Sequence, residues 1–267
     1  MRVAAVQMCS TTDIAENISA ASALVTMAAK AGATFIATPE MTHFLQKDAK
    51  ALRQSVKTQE EDEGVRAFSQ LAESLSIYLL IGSLAILRAD GQIANRSFLF
   101  SPEGDIIETY DKIHLFEAAI SKSETYRESD TYTAGMQPKL ADLAELTLGL
   151  SICYDVRFPD LYAQYAKAEA HMISVPAAFT VATGKAHWET LLRARAIETG
   201  AYVIAPAQGG KHDDGRRTWG RSLIVNPWGE VIARLDHDEP GYILSDVSSA
   251  SVTQARARIP AWQGRVA

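Results

Sequence analysis

The fold prediction rests on the stretch Leu146-Thr147-Leu148-Gly149-Leu150-Ser151-Ile152-Cys153-Tyr154-Asp155-Val156-Arg157-Phe158-Pro159. Its apolar and β-favouring residues predict a buried strand that stops at Cys153, and a polar turn then leads to a helical pattern from about Asp160. A thiol at such a strand-to-helix corner points outward from the sheet. The backbone N–H groups and helix dipole that follow can stabilise a thiolate and an oxyanion. The alternative is a small apolar core residue, since free cysteine is among the most buried residue types.

The length and composition indicate one large α/β domain rather than two small ones. The chain has 267 residues without an internal linker, which is enough to bury a substantial core. Its 47% hydrophobic and 22% charged residues are ordinary for a soluble globular protein. A nucleic-acid-binding protein would normally show a clustered basic face, whereas this chain has a net charge of -6 and a pI near 5.6. We therefore expect no nucleic-acid partner.

Cysteine usage and the apolar runs bear on the cellular location. The only two cysteines, Cys9 and Cys153, provide neither a disulfide framework nor a cysteine-based zinc site. The N-terminus lacks the long apolar segment of a signal peptide, and no later run approaches the ~20 apolar residues that span a bilayer. The sequence therefore predicts a cytoplasmic protein without a membrane partner.

Apolar periodicity predicts strands that alternate with helices, as in an α/β protein. Two predicted β-hairpins carry similar Pro-Gly turns, at residues 101–105 and 226–230, which suggests a duplicated half. Residues 46–64 are expected to form a surface loop or helix, and 209–217 a polar loop. Residues 113–137 form a long irregular segment, and such segments inside domains tend to be functional or disordered. Strands are predicted over residues 3–8, 34–38, 77–83, 94–100, 106–112, 172–176, 202–205, 222–225 and 231–235, and helices over 13–31, 65–75, 161–170 and 184–199.

Three predicted strand ends each carry one ionisable residue: Glu40, Lys112 and Cys153. Taken alone, Glu40 and Lys112 are most often solvated charges. If the strands share one core, however, the three groups can converge into a complete acyl-transfer site. Glu40 would take the thiol proton and later activate water, with partial burial raising its pKa. Lys112 would favour the thiolate and donate to the oxyanion, alongside the backbone N–H of Tyr154.

Motifs around these residues resemble the Glu, Lys and Cys signatures of the nitrilase superfamily, the carbon–nitrogen hydrolases. The three motifs are Thr38-Pro39-Glu40-Met41, Tyr110-Asp111-Lys112-Ile113-His114-Leu115-Phe116 and Ile152-Cys153-Tyr154-Asp155-Val156-Arg157-Phe158-Pro159. The likeness extends nearly from end to end, through Gly184-Lys185-Ala186-His187-Trp188-Glu189 and Asn226-Pro227-Trp228-Gly229. It implies an amidase whose catalytic residues are Glu40, Lys112 and Cys153.

The resemblance also implies a fold, an assembly and a further site residue. The expected fold is a four-layer α-β-β-α sandwich of the nitrilase type, as a single carbon–nitrogen hydrolase domain over residues 1–267, in a homodimer or higher homo-oligomer. The family mechanism needs no metal and no organic cofactor, and the sequence has no HExxH, P-loop or GxGxxG motif. Arg127-Glu128-Ser129 precedes Thr133-Ala134-Gly135 much as in amidase members. Glu128 is therefore the candidate for orienting Lys112 or the substrate.

Within the superfamily the chain resembles the Nit branch. The run Ala205-Pro206-Ala207-Gln208-Gly209-Gly210-Lys211-His212 is closer to the deaminated glutathione amidases than to the ω-amidases, which act on 2-oxoglutaramate. The expected substrate is therefore a small anionic amide, most directly deaminated glutathione. An ω-amidase, an N-carbamoyl or aliphatic amide hydrolase, and a non-catalytic binding module on the same fold are the alternatives.

Several residues near the motifs bear on the substrate rather than on the chemistry. Lys185 stands where Nit-branch proteins often have Pro, and Arg221 replaces a common His, so both are expected to alter the pocket rim or its loops. His43 and His114 flank the motifs and are expected to be hydrogen-bonded structural residues, with lining of the site as the alternative. Cys9 is expected to be a core or loop residue. The basic residues available for the substrate's carboxylates are Arg193, Arg195, Lys211, His212, Arg216 and Arg217.

Overall fold

Two six-stranded sheets lie at the centre of the computed structural model, which describes residues 1–121 and 124–263. The strands in chain order are β1 (Arg2–Gln7), β2 (Phe35–Ala37), β3 (Tyr78–Leu87), β4 (Ile93–Phe100), β5 (Ile106–Asp111), β6 (Glu117–Ser121), β7 (Glu124–Arg127), β8 (Lys139–Leu143), β9 (Leu146–Leu150), β10 (Met172–Ser174), β11 (Tyr202–Ala205), β12 (Gly209–Lys211), β13 (Arg217–Trp219), β14 (Leu223–Val225), β15 (Val231–Arg234) and β16 (Gly241–Asp246). The helices are α1 (Ile14–Lys30), α2 (Ala49–Ser55), α3 (Glu63–Leu75), α4 (Pro159–Lys167), α5 (Val181–Thr199) and α6 (Ser249–Arg258).

Both sheets repeat one pattern of parallel and antiparallel strands. The first has the order β16-β1-β2-β3-β4-β5, and the second has the order β8-β9-β10-β11-β14-β15. In each, three parallel neighbours are flanked by one antiparallel strand on one side and an antiparallel hairpin on the other. This shared order agrees with the duplication suggested by the two Pro-Gly turns.

The layers follow from alternation along the strands. In β1, Val3 and Ala5 pack in the core that contains the second sheet, whereas Ala4 and Val6 pack with the apolar faces of α1 and α3. Helices α4 and α5 pack on the second sheet in the same way. The result is the predicted four-layer α-β-β-α arrangement. Because each fully buried large apolar side chain contributes about 1.5–3 kcal/mol, the interface between the sheets is a main source of stability.

Helix ends lie close to the predicted positions because the capping chemistry is local. Asp13 caps α1 by accepting a hydrogen bond from the backbone N–H of Glu16 at 2.9 Å. Thr180 caps α5, which therefore begins three residues before the predicted start, and Gly200 ends it at φ +58°. No helix in the described part of the chain is long and apolar enough to cross a membrane.

Residues 46–64 contain the short helix α2, in agreement with the predicted surface loop or helix. Two other segments differ in detail from the prediction. The segment 113–137, expected to be irregular, contains the β6–β7 hairpin and a 3₁₀ turn at Glu128–Asp130. The predicted loop at 209–217 contains β12 and leads into β13. These strands are short, with pairing set by tertiary contacts, so local patterning does not identify them.

Candidate active site

The three predicted strand ends meet in the core between the sheets. Glu40 lies three residues after β2, Cys153 three residues after β9, and Lys112 directly after β5. Lys112 Nζ is 2.8 Å from Glu40 Oε1, and the Glu40 carboxylate lies close enough to the Cys153 thiol to raise the pKa of that thiol. Their exposed fractions are only 4%, 2% and 7% for Glu40, Lys112 and Cys153. The structure therefore brings together a base, a cation and a thiol with little water around them.

Cys153 occupies a strained corner. Its φ of +51° lies in the left-handed region, which costs a non-glycine residue about 1–2 kcal/mol. Its backbone N–H donates to the Pro176 carbonyl at 2.8 Å, so that N–H is already engaged. The 3₁₀ turn begins at Cys153, and the ring of the following Tyr154 packs against Phe116 and Phe158. The predicted oxyanion donor is thus the N–H of a residue held on both sides by aromatic packing.

Asp155 ties the nucleophile corner to the end of β5. Its Oδ2 accepts from the Ile152 backbone N–H at 2.8 Å and from the Tyr110 hydroxyl at 2.7 Å. Its Oδ1 accepts from the His114 backbone N–H at 2.9 Å and lies 2.7 Å from His114 Nδ1. The carboxylate is fully buried, so all of these contacts are shielded from water. His114 therefore serves the structural role expected from the sequence.

The backbone of β3 at Gly82 packs closely against the residues just before Glu40 and so fixes the position of Glu40. A Cβ at this position would lie 2.1 Å from the Thr38 carbonyl oxygen, 2.5 Å from that of Pro39 and 2.5 Å from Pro176 Cβ. Only glycine lets β3 pass beside both catalytic corners. The carbonyl of Glu40 is held from the other side by Gln208 Nε2 at 3.0 Å.

Glu128 lies beside Lys112, the position predicted for a residue that orients this lysine. Its Oε2 accepts from Lys112 Nζ at 2.8 Å and from the Phe116 backbone N–H at 2.6 Å. Its Oε1 accepts from Asn95 Nδ2 at 2.9 Å. Asn95 was missed in the sequence, although a polar residue inside the apolar strand β4 was a usable signal.

The charges of the three central groups follow from their contacts. Burial disfavours the Lys112 ammonium, but the Glu128 and Glu40 carboxylates outweigh it and raise the pKa of Lys112 well above its usual value. Burial would likewise raise the pKa of Glu40, but the Lys112 charge and hydrogen bond hold it below its usual value. The predicted net direction of the Glu40 pKa shift was therefore wrong, although burial acts in the expected sense.

Cys153 differs from its two neighbours because its charged form is disfavoured. Burial and the adjacent Glu40 carboxylate raise its pKa well above the usual value, and Lys112 offsets only part of this effect. The resting site therefore contains a thiol, a carboxylate and an ammonium. Attack by sulfur requires transfer of the thiol proton to Glu40.

A cavity of about 1040 Å³ opens above these residues. Five basic residues line its described wall: Lys47, Lys112, Arg127, Arg216 and Arg217. The acidic lining residues, Glu40 and Glu128, are both hydrogen-bonded to Lys112. The cavity is therefore positively charged within a chain of net charge -6, which favours an anionic ligand.

Two of the six predicted basic candidates, Arg216 and Arg217, line this cavity. Arg193 and Arg195 instead donate to the carbonyls of Gly229 and Val156, at 2.8 and 2.9 Å, and His212 is buried against Thr218. Lys211 lies outside the cavity wall. The sequence reasoning missed Lys47 and Arg127 because long side chains on loops and hairpins give no periodic signal.

The remaining singled-out residues lie away from the large cavity. Lys185 and Arg221 line a separate cavity of about 220 Å³ beside α5, so they do not shape the rim of the larger one. His43 is buried and lies 3.1 Å from Asp62, as expected for a structural histidine. Cys9 is partly buried in a loop. No group of three or more metal-ligating side chains occurs within residues 1–121 and 124–263.

Comparisons with known proteins agree with this geometry. The carbon–nitrogen hydrolase family model matches residues 2–257. A deaminated glutathione amidase from Synechocystis sp. is 37% identical over 267 residues, covering 98% of this chain and 97% of that protein. Saccharomyces cerevisiae Nit3, a member of branch 10 of the nitrilase superfamily, superposes with a TM-score of 0.87 at 26% identity, covering 97% and 94% of the two chains. The Caenorhabditis elegans NitFhit protein also superposes with a TM-score of 0.87, at 31% identity. The match covers 99% of this chain and 64% of that longer chain.

Proposed function

The chain belongs to the carbon–nitrogen hydrolase family, and we propose that it is a cysteine-dependent amidase whose substrate is a small anionic amide, most directly deaminated glutathione. Residues 1–267 form a single carbon–nitrogen hydrolase domain in this proposal. The observation that carries it is the contact of Glu40 with both the Cys153 thiol and the Lys112 ammonium inside a positively charged cavity.

The first chemical step forms a thioester. Glu40 takes the proton from Cys153 as the sulfur attacks the amide carbonyl carbon and a C–S bond forms. The carbonyl oxygen becomes an oxyanion, which the Lys112 ammonium and the Tyr154 backbone N–H stabilise. Collapse of this intermediate breaks the C–N bond, and the leaving amine receives the proton held by Glu40.

The second step regenerates the thiol. A water molecule gives its proton to Glu40 while its oxygen attacks the thioester carbonyl, again with the oxyanion held by Lys112 and the Tyr154 N–H. The C–S bond then breaks, the carboxylic acid product leaves, and sulfur recovers the proton from Glu40. Glu128 keeps Lys112 in place throughout, because it accepts one of the ammonium's three N–H groups.

The distribution of basic residues supports a substrate with more than one carboxylate. Arg127 lies on β7, whereas Lys47 and Arg217 belong to a different part of the wall, near the β12–β13 turn. Lys47 Nζ lies 3.5 Å from the Cβ position of Gly215 in that turn. Deaminated glutathione carries a carboxylate on each side of its scissile amide. Hydrolysis of 2-oxoglutaramate releases ammonia, which carries no carboxylate. An ω-amidase therefore needs basic residues on only one side of the scissile amide.

Turnover of both amides by the wild type and the Cys153→Ala variant tests the proposal. We expect the wild type to release Cys-Gly from deaminated glutathione faster than it releases ammonia from 2-oxoglutaramate. The alanine variant should process neither. Full activity of that variant would contradict the mechanism, and turnover of neither amide by the wild type would contradict the substrate class.

A further inference from the structure

The Asn95 amide on β4 lies between the two carboxylates of the site. Its Nδ2 is 2.9 Å from Glu40 Oε1 and 2.9 Å from Glu128 Oε1. Lys112 Nζ bridges the same carboxylates, at 2.8 Å from Glu40 Oε1 and 2.8 Å from Glu128 Oε2. The four side chains thus close a ring in which each carboxylate accepts one bond from the amide and one from the ammonium.

The other end of the same amide is unsatisfied. Asn95 Oδ1 is buried and has no hydrogen-bond partner among the described residues. Buried polar atoms are nearly always paired, and leaving one unpaired costs free energy. The reverse orientation would place Oδ1 against both carboxylates, where only an N–H is favourable. The amide is therefore held in place by its two donors alone.

The two oxygens of Glu40 have different surroundings. Oε1 accepts from both Asn95 and Lys112, whereas Oε2 accepts from the Ala178 backbone N–H at 2.9 Å. The same Ala178 N–H lowers the pKa of the Cys153 thiol, so it lies close to both groups. Oε2 is thus on the thiol side of the carboxylate and has the remaining capacity to take a proton.

We propose that Asn95 is a positioning residue for proton transfer, which holds Glu40 and Glu128 apart as two carboxylates and directs the Cys153 proton to Glu40 Oε2. This inference rests on the proposed cysteine mechanism. Two carboxylates that share one cation tend to retain a proton between them, because like charges disfavour double ionisation. A neutral group with two donors prevents this without adding a charge, and among side chains of this size only an amide provides it.

Placement of Asn95 is coupled to that of the lysine through the backbone. Its carbonyl accepts from the Lys112 backbone N–H at 2.9 Å, just beyond the last ladder pair of β4 and β5. The register of this hairpin therefore sets the amide and the ammonium together. Loss of the Asn95 side chain leaves this backbone contact in place, so its effect on Glu40 can be measured separately.

Alkylation of Cys153 by iodoacetamide as a function of pH, followed by peptide mass spectrometry, tests the proposal without a substrate. The variants are Asn95→Ala and the isosteric Asn95→Asp. Ser101→Ala is the matched control, since Ser101 is buried directly after the same strand and its hydroxyl accepts from the backbone N–H groups of Glu103 and Asp105 in the turn, at 3.1 and 3.3 Å. Parallel kcat and KM measurements show whether catalysis changes in step.

We expect both Asn95 variants to be alkylated about 10-fold more slowly at pH 7, with the acidic decline in rate moved at least about one pH unit upward. Their kcat should fall about 10- to 100-fold with little change in KM. The Ser101→Ala variant should lose thermal stability but retain the wild-type pH dependence. Folded Asn95 variants with the wild-type rate and pH dependence would overturn the proposal and leave the amide a structural residue.

A measurement on the unsubstituted protein covers the case in which both variants fail to fold. Both side-chain N–H protons of Asn95 should exchange slowly in NMR spectra and shift when Cys153 is alkylated, and rapid exchange of either proton would overturn the proposal. Failure of the cysteine mechanism is recognised separately: Cys153 of the wild type would then be alkylated no faster than the half-buried Cys9.

Discussion

Lys112 Nζ lies 2.8 Å from Glu40 Oε1, with both side chains almost completely removed from water. Such a pair is a weak source of stability when intact, but removal of one partner leaves an uncompensated buried charge. The effect is enlarged here because Glu128 shares the same ammonium. The lysine is therefore needed for folding as well as for the proposed chemistry.

Replacement of the lysine should reverse the pH dependence of stability. We expect Lys112→Met to lose about 3–5 kcal/mol near pH 8, because Glu40 and Glu128 are left without their cation. Without the Lys112 charge, burial raises the folded-state pKa of Glu40 above its unfolded value, so stability increases as the pH falls. Thermal melts from pH 8 to pH 5 test this, with Lys167→Met as the control on an exposed face of α4. A Tm of Lys112→Met that stays constant or falls from pH 8 to pH 5 would contradict the charge assignment.

In the wild type the same pair should stabilise the fold over a wide pH range. The lowered pKa of Glu40 contributes stability above its ordinary value of 4.5, and this is lost as the pH falls through the folded-state pKa. The raised pKa of Lys112 contributes stability below its ordinary value of 10.5, lost only at higher pH. The acidic decline of kcat/KM, which reports Glu40 in the free enzyme, should accordingly lie below pH 4.5. A decline centred between pH 6 and 7 would show that the carboxyl is protonated at rest.

The two cysteines should differ completely in their effect. Cys153→Ser retains a hydroxyl at the strained corner, but a hydroxyl is a much poorer nucleophile than a thiol here, so kcat should fall by about 10³-fold or more. Cys9→Ala should keep full activity, since Cys9 does not line the large cavity. Mass spectrometry during turnover should detect an acyl adduct on Cys153 alone. An adduct on Cys9, or activity lost in the Cys9 variant, would exclude this assignment.

Charge at the cavity rim should affect binding more than chemistry. Arg217 is exposed on β13 and lines the cavity, and its replacement by Gln should raise KM for a dianionic amide about 10-fold with little change in kcat. The difference in KM between this variant and the wild type should shrink as salt is added, because exposed charges are screened. Arg88→Gln is the control, since Arg88 pairs with Asp90 outside the cavity. Equal KM values for the two variants would remove Arg217 from substrate recognition.

Gly82 offers a test of how backbone packing positions the base. The methyl group of Gly82→Ala meets the Thr38 and Pro39 carbonyls at 2.1 and 2.5 Å, so the backbone before Glu40 has to move. We expect a loss of about 3 kcal/mol in the free energy of unfolding together with a large loss of kcat. Gly241→Ala is the control, because the added methyl group would lie 3.5 Å from its nearest neighbour, Leu235 Cδ1. Its effect on stability and on kcat should be small. Chemical denaturation and steady-state kinetics measure both effects, and similar behaviour of the two variants would contradict the role of Gly82.

Local chemistry explains which features could be predicted from the sequence. Helix caps and strand ends depend on neighbouring residues, so the local sequence pattern was sufficient to predict them. These features are the caps at Asp13 and Gly200 and the strand ends at Glu40, Lys112 and Cys153. Resemblance then indicated that the three ends meet, which spacing alone leaves open.

The features that were missed depend on contacts distant in the chain. The Glu40 pKa was predicted in the wrong direction because it is set by a lysine 72 residues away. Asn95 gives no motif, since its role exists only when β4, β5 and Glu128 are assembled. The predicted set of basic residues in the cavity wall was incomplete for the same reason. Lys47 and Arg127 reach the wall from a loop and from a hairpin, both of which have weak local sequence signals.

The strand order of the sheets has a consequence for how such a site is assembled. Glu40 and Lys112 follow strands of the first sheet, Cys153 follows a strand of the second, and Glu128 belongs to the connection between them. The first sheet alone therefore holds a carboxylate and a cation without a thiol, and the second holds a thiol without a carboxylate. Only docking of the two sheets face to face completes the set, so the proposed activity is a property of the whole domain and of neither half.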